Sequence, residues 1–80
     1  MSEKTRSLSI VRRKKLETKV GLSRASIYAK LDKNSSTYDP TFPRPIPLGG
    51  RAVGWIEHKV DEWISAQIEK AEAQFDRGQK

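Results

Sequence analysis

The chain has 80 residues, a formal net charge of +6 and no cysteine. That length supports one small domain, which buries only about 60% of the surface its unfolded chain exposes, so a roomy enzyme cleft is not expected. Disulfides and thiolate metal sites are excluded; no apolar run approaches the roughly 18 residues of a membrane span, and MSEKTRSLSIVRRKK has no apolar core like that of a signal peptide, so the chain reads as soluble and intracellular.

The charge is unevenly spread. Residues 1 to 30 carry nine Lys or Arg against Glu3 and Glu17, residues 31 to 55 carry three against two acids, and residues 56 to 80 carry four against six. A basic first part and a mildly acidic last part point to an anionic partner for the N-terminal half, with nucleic acid the commonest. The plainer alternative for RRKK at 12 to 15 is a solvated helix face.

Residues 1 to 8 are polar and are expected to form a flexible tail, and LSIV is either a short strand or an extended lead-in. From about Arg12 a helix is predicted, with Leu16 and Val20 spaced i, i+4 on one face and Gly21 ending it. Ser23 is placed to cap a second helix whose apolar pair is Ile27 and Leu31, and Leu22 between them is the expected buried hinge. Two helices separated by so few residues have the sequence shape of a helix-turn-helix, whose second helix lies in the major groove of DNA. With Ile27 and Leu31 inward, Ser23, Arg24, Ala25, Ser26, Tyr28 and Lys30 divide between groove, backbone and flank. Arg24 is the candidate for a bidentate contact to guanine. Ser26 alternatively only supports the first turn, Lys30 is alternatively solvated, and for Tyr28 core packing and phosphate contact both stand.

DKNSSTYDPT at 32 to 41 reads as a polar loop. In FPRPIPLGGRAVGW the prolines set an extended approach, Gly49 and Gly50 allow a tight hairpin turn, and RAVGW returns as the second strand. Ile46, Leu48, Val53 and Trp55 are expected to face the helices, leaving Arg44 and Arg51 projecting as a wing toward backbone or minor groove; the alternative is a surface hairpin. The last segment, IEHKVDEWISAQIEKAEAQF, is a periodic helix with Val60, Trp63, Ile64, Gln67, Ile68, Ala71 and Phe75 on one stripe. Its first half should close the core. Its second half extends beyond what so small a domain covers, and either frays or pairs with another copy.

RRKKLETKVGLSRASIYAKL followed by FPRPIPLGGRAVGWIEHKVDEWI resembles the AlpA family of phage-type regulators, small proteins related to phage excisionases and to the MerR-like winged helix. The likeness covers about residues 9 to 65, and the pairing of GLSRASIY with the Pro-rich hairpin is specific. The stretch DKNSSTYDPT departs from it, being longer than the link many members have there. The resemblance implies a DNA-binding protein of a prophage or integrative element, acting as a transcriptional regulator or bending attachment-site DNA as excisionases do. It puts Ser23, Arg24, Ser26 and Tyr28 on the recognition helix and Arg44, Gly49 and Arg51 in the wing.

Enzyme chemistry has little material. His58 is the only histidine, and GGRAVG lacks the Lys-Ser/Thr of a phosphate loop, its glycines fitting a hairpin turn with Gly50 beside Arg51. The sequence therefore predicts a mainly α protein with a small β-hairpin, a monomeric winged helix-turn-helix over 9–68 with a tail at 1–8 and a helix extension and tail at 69–80. Its expected function is sequence-specific regulation of transcription on double-stranded DNA in the bacterial cytoplasm, on the nucleoid, with Arg12, Arg13 and Lys14 on the phosphate backbone. The alternative is an excisionase assisting an integrase. No catalytic residue, metal, cofactor, membrane or small-molecule substrate is expected, and an integrase or a second copy on DNA are the protein partners considered.

Overall fold

The computed structural model describes residues 9–78, with side chains to Gln74; the tail at 1–8 and the side chain of Phe75 lie outside the described residues. The elements run β1 (Ile10–Val11), α1 (Arg13–Val20), α2 (Arg24–Leu31), β2 (Ile46–Gly49), β3 (Ala52–Ile56) and α3 (Glu57–Gly78). The fold is mainly helical, and the expected hairpin is part of a three-stranded antiparallel sheet in the order β1-β3-β2. The lead-in segment is thus a strand: Ile10 pairs with Ile56 and Val11 with Trp55, and the Glu57 amide donates to the Ser9 carbonyl at 2.6 Å.

The two short helices are set by their ends. Gly21, at φ 71°, takes the left-handed conformation that ends α1 and returns its N–H to the Glu17 carbonyl, a geometry that costs glycine little. Two residues on, the Ser23 Oγ accepts the Ser26 amide at 3.1 Å and caps α2. Ser23→Ala should therefore destabilise the fold by about 1 kcal/mol, read as a lower urea midpoint with an unchanged m-value. Leu16 and Ile27, the inward residues of the two helices, are fully buried, whereas Leu22 in the turn is only half-buried.

The core is Val11, Leu16, Ile27, Phe42, Trp55 and Val60, with Val20, Leu22, Leu31, Val53, Trp63 and Ile64 packed around it. One face of the sheet supplies Val11 and Trp55, which are register partners. The hairpin register departs from expectation. The chain reverses at Gly50 and Arg51, with Gly49 opposite Ala52 and an irregularity between Pro47 and Gly49, so that Ile46 pairs with Gly54 and Pro47 with Val53. Gly50, at φ 55°, supplies the left-handed residue at the turn. A turn one residue later than Gly49–Gly50 by itself shifts the pairing by two, the irregularity takes one back, and the net one-residue slip moves side chains to the opposite face. Ile46 and Leu48 therefore lie with Gly54 on the face away from Trp55, and Leu48 is 42% exposed instead of facing the helices. A Cβ at Gly54 would overlap the Ile10 Cγ2 methyl and come 3.0 Å from Leu48 Cδ1, so β3 needs glycine there to let both side chains close over it.

The segment between α2 and β2 is held by local bonds. Asp32 accepts the Asn34 amide, Ser35 the Thr37 amide, and Asp39 both the amide and hydroxyl of Thr41. The Asp39 amide donates to the Lys30 carbonyl and the Phe42 amide to the Asp39 carbonyl, which delivers Phe42 to the core. Phe42 meets Trp63 edge-on with centroids 4.9 Å apart, and the Trp63 indole donates to Asp39 Oδ2 at 3.1 Å. The Trp55 indole donates to the Pro43 carbonyl.

Burial pushes the Asp39 carboxyl up, but the hydrogen bonds from Thr41 and Trp63 and the charge of Lys30 outweigh it and hold the group below its ordinary 3.8. A carboxylate with a depressed folded-state pKa contributes stability above its unfolded value that is lost as pH falls through the folded one. Stability should thus fall below about pH 4, and Asp39→Asn should flatten that part of a melting-temperature profile. Lys19 at the end of α1 bridges Glu57 and Asp61 of α3, both at 2.9 Å. Hydrogen bonds to Asp61 and then Glu57 raise the Lys19 pKa above 10.5. The two acids thereby fasten α3 to α1.

Past Ile64 the stripe of α3 leaves the body. Ile68 is 50% exposed and residues 68–74 are all exposed, and the backbone is helical to Gly78. No helix among the described residues is long and apolar enough to cross a membrane.

Candidate nucleic-acid interface

Both short helices begin with cations where the dipole prefers anions. Arg13, Lys14 and Lys15 open α1, Arg24 opens α2, and neither first turn holds an acid. The positive end of a helix disfavours each such cation by a few tenths of a kcal/mol at low ionic strength. Arg12 precedes α1 without a side-chain cap. Its Nε donates to the Val53 carbonyl of β3 at 3.0 Å, which ties the start of α1 to the hairpin.

That tie closes one side of a groove lined by Arg12, Arg13, Lys14, Tyr28, Arg51 and Val53. Three chain segments far apart in sequence meet there: the start of α1, the middle of α2 and the hairpin tip. None of the lining residues is acidic. Tyr28 is 39% exposed and lines the groove, so it is not a core residue. The Arg24 guanidinium lies 5.9 Å from its ring centroid, a cation–π arrangement that aims Arg24 along the same surface. Among the described residues, the Lys14 and Arg51 side chains make no hydrogen bond or ion pair. Arg13 is held by Glu17 one turn on, Nη1 to Oε2 at 2.6 Å. Chemically the groove offers several guanidinium and ammonium donors and one aromatic face to a polyanion that can enter between helix and hairpin.

The other sequence candidates fall into two groups. Ser23 and Ser26 are exposed at the start of α2 and bonded to each other, Oγ to Oγ at 3.1 Å, so both serve the first turn whatever else they touch; Ala25 is exposed beside them. Gly49 and Gly50 are exposed at the hairpin end. Lys30 and Arg44 are not brought to the groove. Lys30 Nζ lies 5.9 Å from the Trp63 ring centroid, on the side of Asp39 and α3. Arg44 stacks on Tyr38 and donates to its hydroxyl at 3.0 Å, bracing the loop before β2. Two residues of the surface were not among the candidates. Val53 lines the groove beside Arg12, which is bonded to its carbonyl, and Glu17 is legible only through its i, i+4 spacing from Arg13.

Elsewhere, His58 pairs with Glu62 on the exposed face of α3 at 2.9 Å, and no three His, Asp or Glu side chains among the described residues are grouped to hold a metal ion.

The model of the family described as Prophage CP4-57 regulatory protein (AlpA) matches residues 9–68 of this chain. The DNA-binding transcriptional activator AlpA of Escherichia coli (strain K12) is 51% identical over 47 residues, 59% of this chain and 67% of that protein. An uncharacterized protein, ORF88, of Enterobacteria phage P4 is 35% identical over 48 residues, 60% of this chain; the match spans about half, 48%, of its length. No solved structure matches the chain.

Proposed function

The chain belongs to the AlpA family of prophage regulatory proteins, and from that premise we propose that it is a DNA-binding transcriptional regulator of a prophage or integrative element. The observation that carries the reading is the groove: Arg12, Arg13, Lys14 and Arg51 gathered beside Tyr28 with no carboxylate among the lining residues. Helix α2 enters the major groove with Arg24 at its leading end. The β2–β3 hairpin acts as a wing, carrying Arg51 to the phosphates or the minor groove, while the start of α1 lies on the backbone. Ala25, exposed in the first turn of α2, suits contact with a thymine methyl. The E. coli relative's description as a transcriptional activator supports the regulatory part of this reading.

Mapping bound sites across the source genome tests it. Sites at promoters, that of an integrase gene in particular, are the expected result. Sites clustered inside an attachment region would instead make the protein an excisionase that bends DNA for an integrase. An absence of any enriched site would overturn sequence-specific binding.

A further inference from the structure

We infer that Glu17 sets the groove's discrimination between its own site and other DNA, by holding Arg13 in an internal ion pair and so withholding one cation from phosphates of any sequence. The inference rests on the reading of the groove as a DNA interface. Glu17 is the only acidic residue between Ser9 and Leu31, and its carboxylate is spent on a groove-lining guanidinium 2.6 Å away, with the two side chains 28% and 34% exposed.

Helix stability accounts for the pair only weakly. An arginine placed four residues before a glutamate is the weaker order, and Arg13 stands at the helix end the dipole makes least hospitable to it. What the pair does do is relieve crowding among Arg12, Arg13, Lys14 and Lys15. A phosphate approaching Arg13 must then displace Glu17 and face its charge. On a matched site the base contacts of α2 fix one register, in which Arg13 stays with Glu17; a random duplex is held by phosphate contacts alone and samples registers in which a freed Arg13 adds one. A repulsive group placed against the wrong partner raises specificity while lowering affinity.

The predicted signature is a pair of changes of opposite sign. In the full chain, Glu17→Gln should lower the melting temperature slightly yet tighten binding to random duplex roughly two- to fivefold, the worth of one exposed ion pair. Arg13 then joins the phosphate contacts, so the slope of log affinity against log salt should steepen by about 0.9, and the ratio of matched to random affinity should shrink. In an Arg13→Gln background the same substitution should leave the slope where it was. Fluorescence anisotropy on random and genome-derived duplexes over a salt series reads all of this. If wild type binds random duplex and Glu17→Gln leaves affinity and slope unchanged, or weakens binding, the inference fails while the DNA reading stands; wild type binding neither duplex would remove both. Should Glu17→Gln not fold, Arg13→Gln alone decides: it should lower the slope far less than Lys14→Gln, and an equal loss from the two would overturn the withheld role of Arg13.

Discussion

Trp55→Ala is expected to leave the protein unfolded at room temperature. The ring is fully buried among Val11, Leu16, Ile27, Phe42 and Val60, and its indole N–H is bonded to the Pro43 carbonyl. Emptying such a site costs about 3 to 5 kcal/mol, comparable with the whole stability of a marginal small domain. The expected trace is a far-UV circular dichroism spectrum without a cooperative melt. Trp63, which the helical stripe presents as the core anchor of α3, is half-buried, with one edge on Phe42 and its indole on Asp39. Trp63→Ala should therefore cost less, about 2 kcal/mol, and still melt cooperatively. Trp63→Phe, which keeps a ring against Phe42 and removes the N–H donor, should fall between that variant and wild type. If Trp63→Ala unfolds the protein and Trp55→Ala does not, the core is centred on α3 and not on the sheet.

The different depths of the two tryptophans show what periodicity can and cannot reach. A stripe on a helix tells which residues share a face, but not how far the body extends under that face. Val60 is buried, Ile64 partly covered and Ile68 half exposed along one line, because sheet and loop end beneath it. Trp55 sits on a five-residue strand beside a glycine, where alternation is too short to weigh its burial against that of its neighbours. The helix pair was legible because its signals are local: a glycine that must go left-handed and a serine whose hydroxyl reaches three residues on. The hairpin was legible as a hairpin and misread in register, since GGR offers two adjacent places for a two-residue turn and only packing selects one. Phe42 was hidden by its surroundings. It follows ten mostly polar residues, and only the chain of turns through Asp39 shows why so polar a segment ends in the core.

The groove was legible by residue type alone. Arg12 to Lys14, Tyr28 and Arg51 are separated by long stretches of sequence, and no spacing rule brings them together; the Arg12 bond to Val53 and the hairpin register do. The same packing removes Lys30 and Arg44 from that surface, because Trp63 and Tyr38 offer each a ring nearby. A basic residue on a short chain has several half-buried partners within reach, and sequence does not rank them.

Arg24 and Arg51, the two candidates with the clearest separate duties, should fail in different ways. Arg24 opens α2 and stacks on Tyr28, so its guanidinium is already oriented when a base edge arrives. Arg24→Ala should cost about 1 to 3 kcal/mol on a matched site and relax base preference, with a much smaller effect on random duplex. Tyr28→Leu should reproduce part of that loss by freeing the arginine, and Tyr28→Phe should retain the stack. Arg51 lies in the two-residue turn at the hairpin tip and lines the groove, with no carboxylate partner among the described residues. Arg51→Ala should weaken matched and random duplex alike and reduce the salt slope by about one. Binding curves for both variants on matched and scrambled duplexes across a salt series separate the two signatures. An Arg24→Ala loss that is equal on both duplexes would reassign that residue to the backbone. An Arg51→Ala protein that binds both duplexes as wild type does at every salt concentration would make β2–β3 a surface hairpin, leaving the start of α1 and α2 to hold the DNA without a wing.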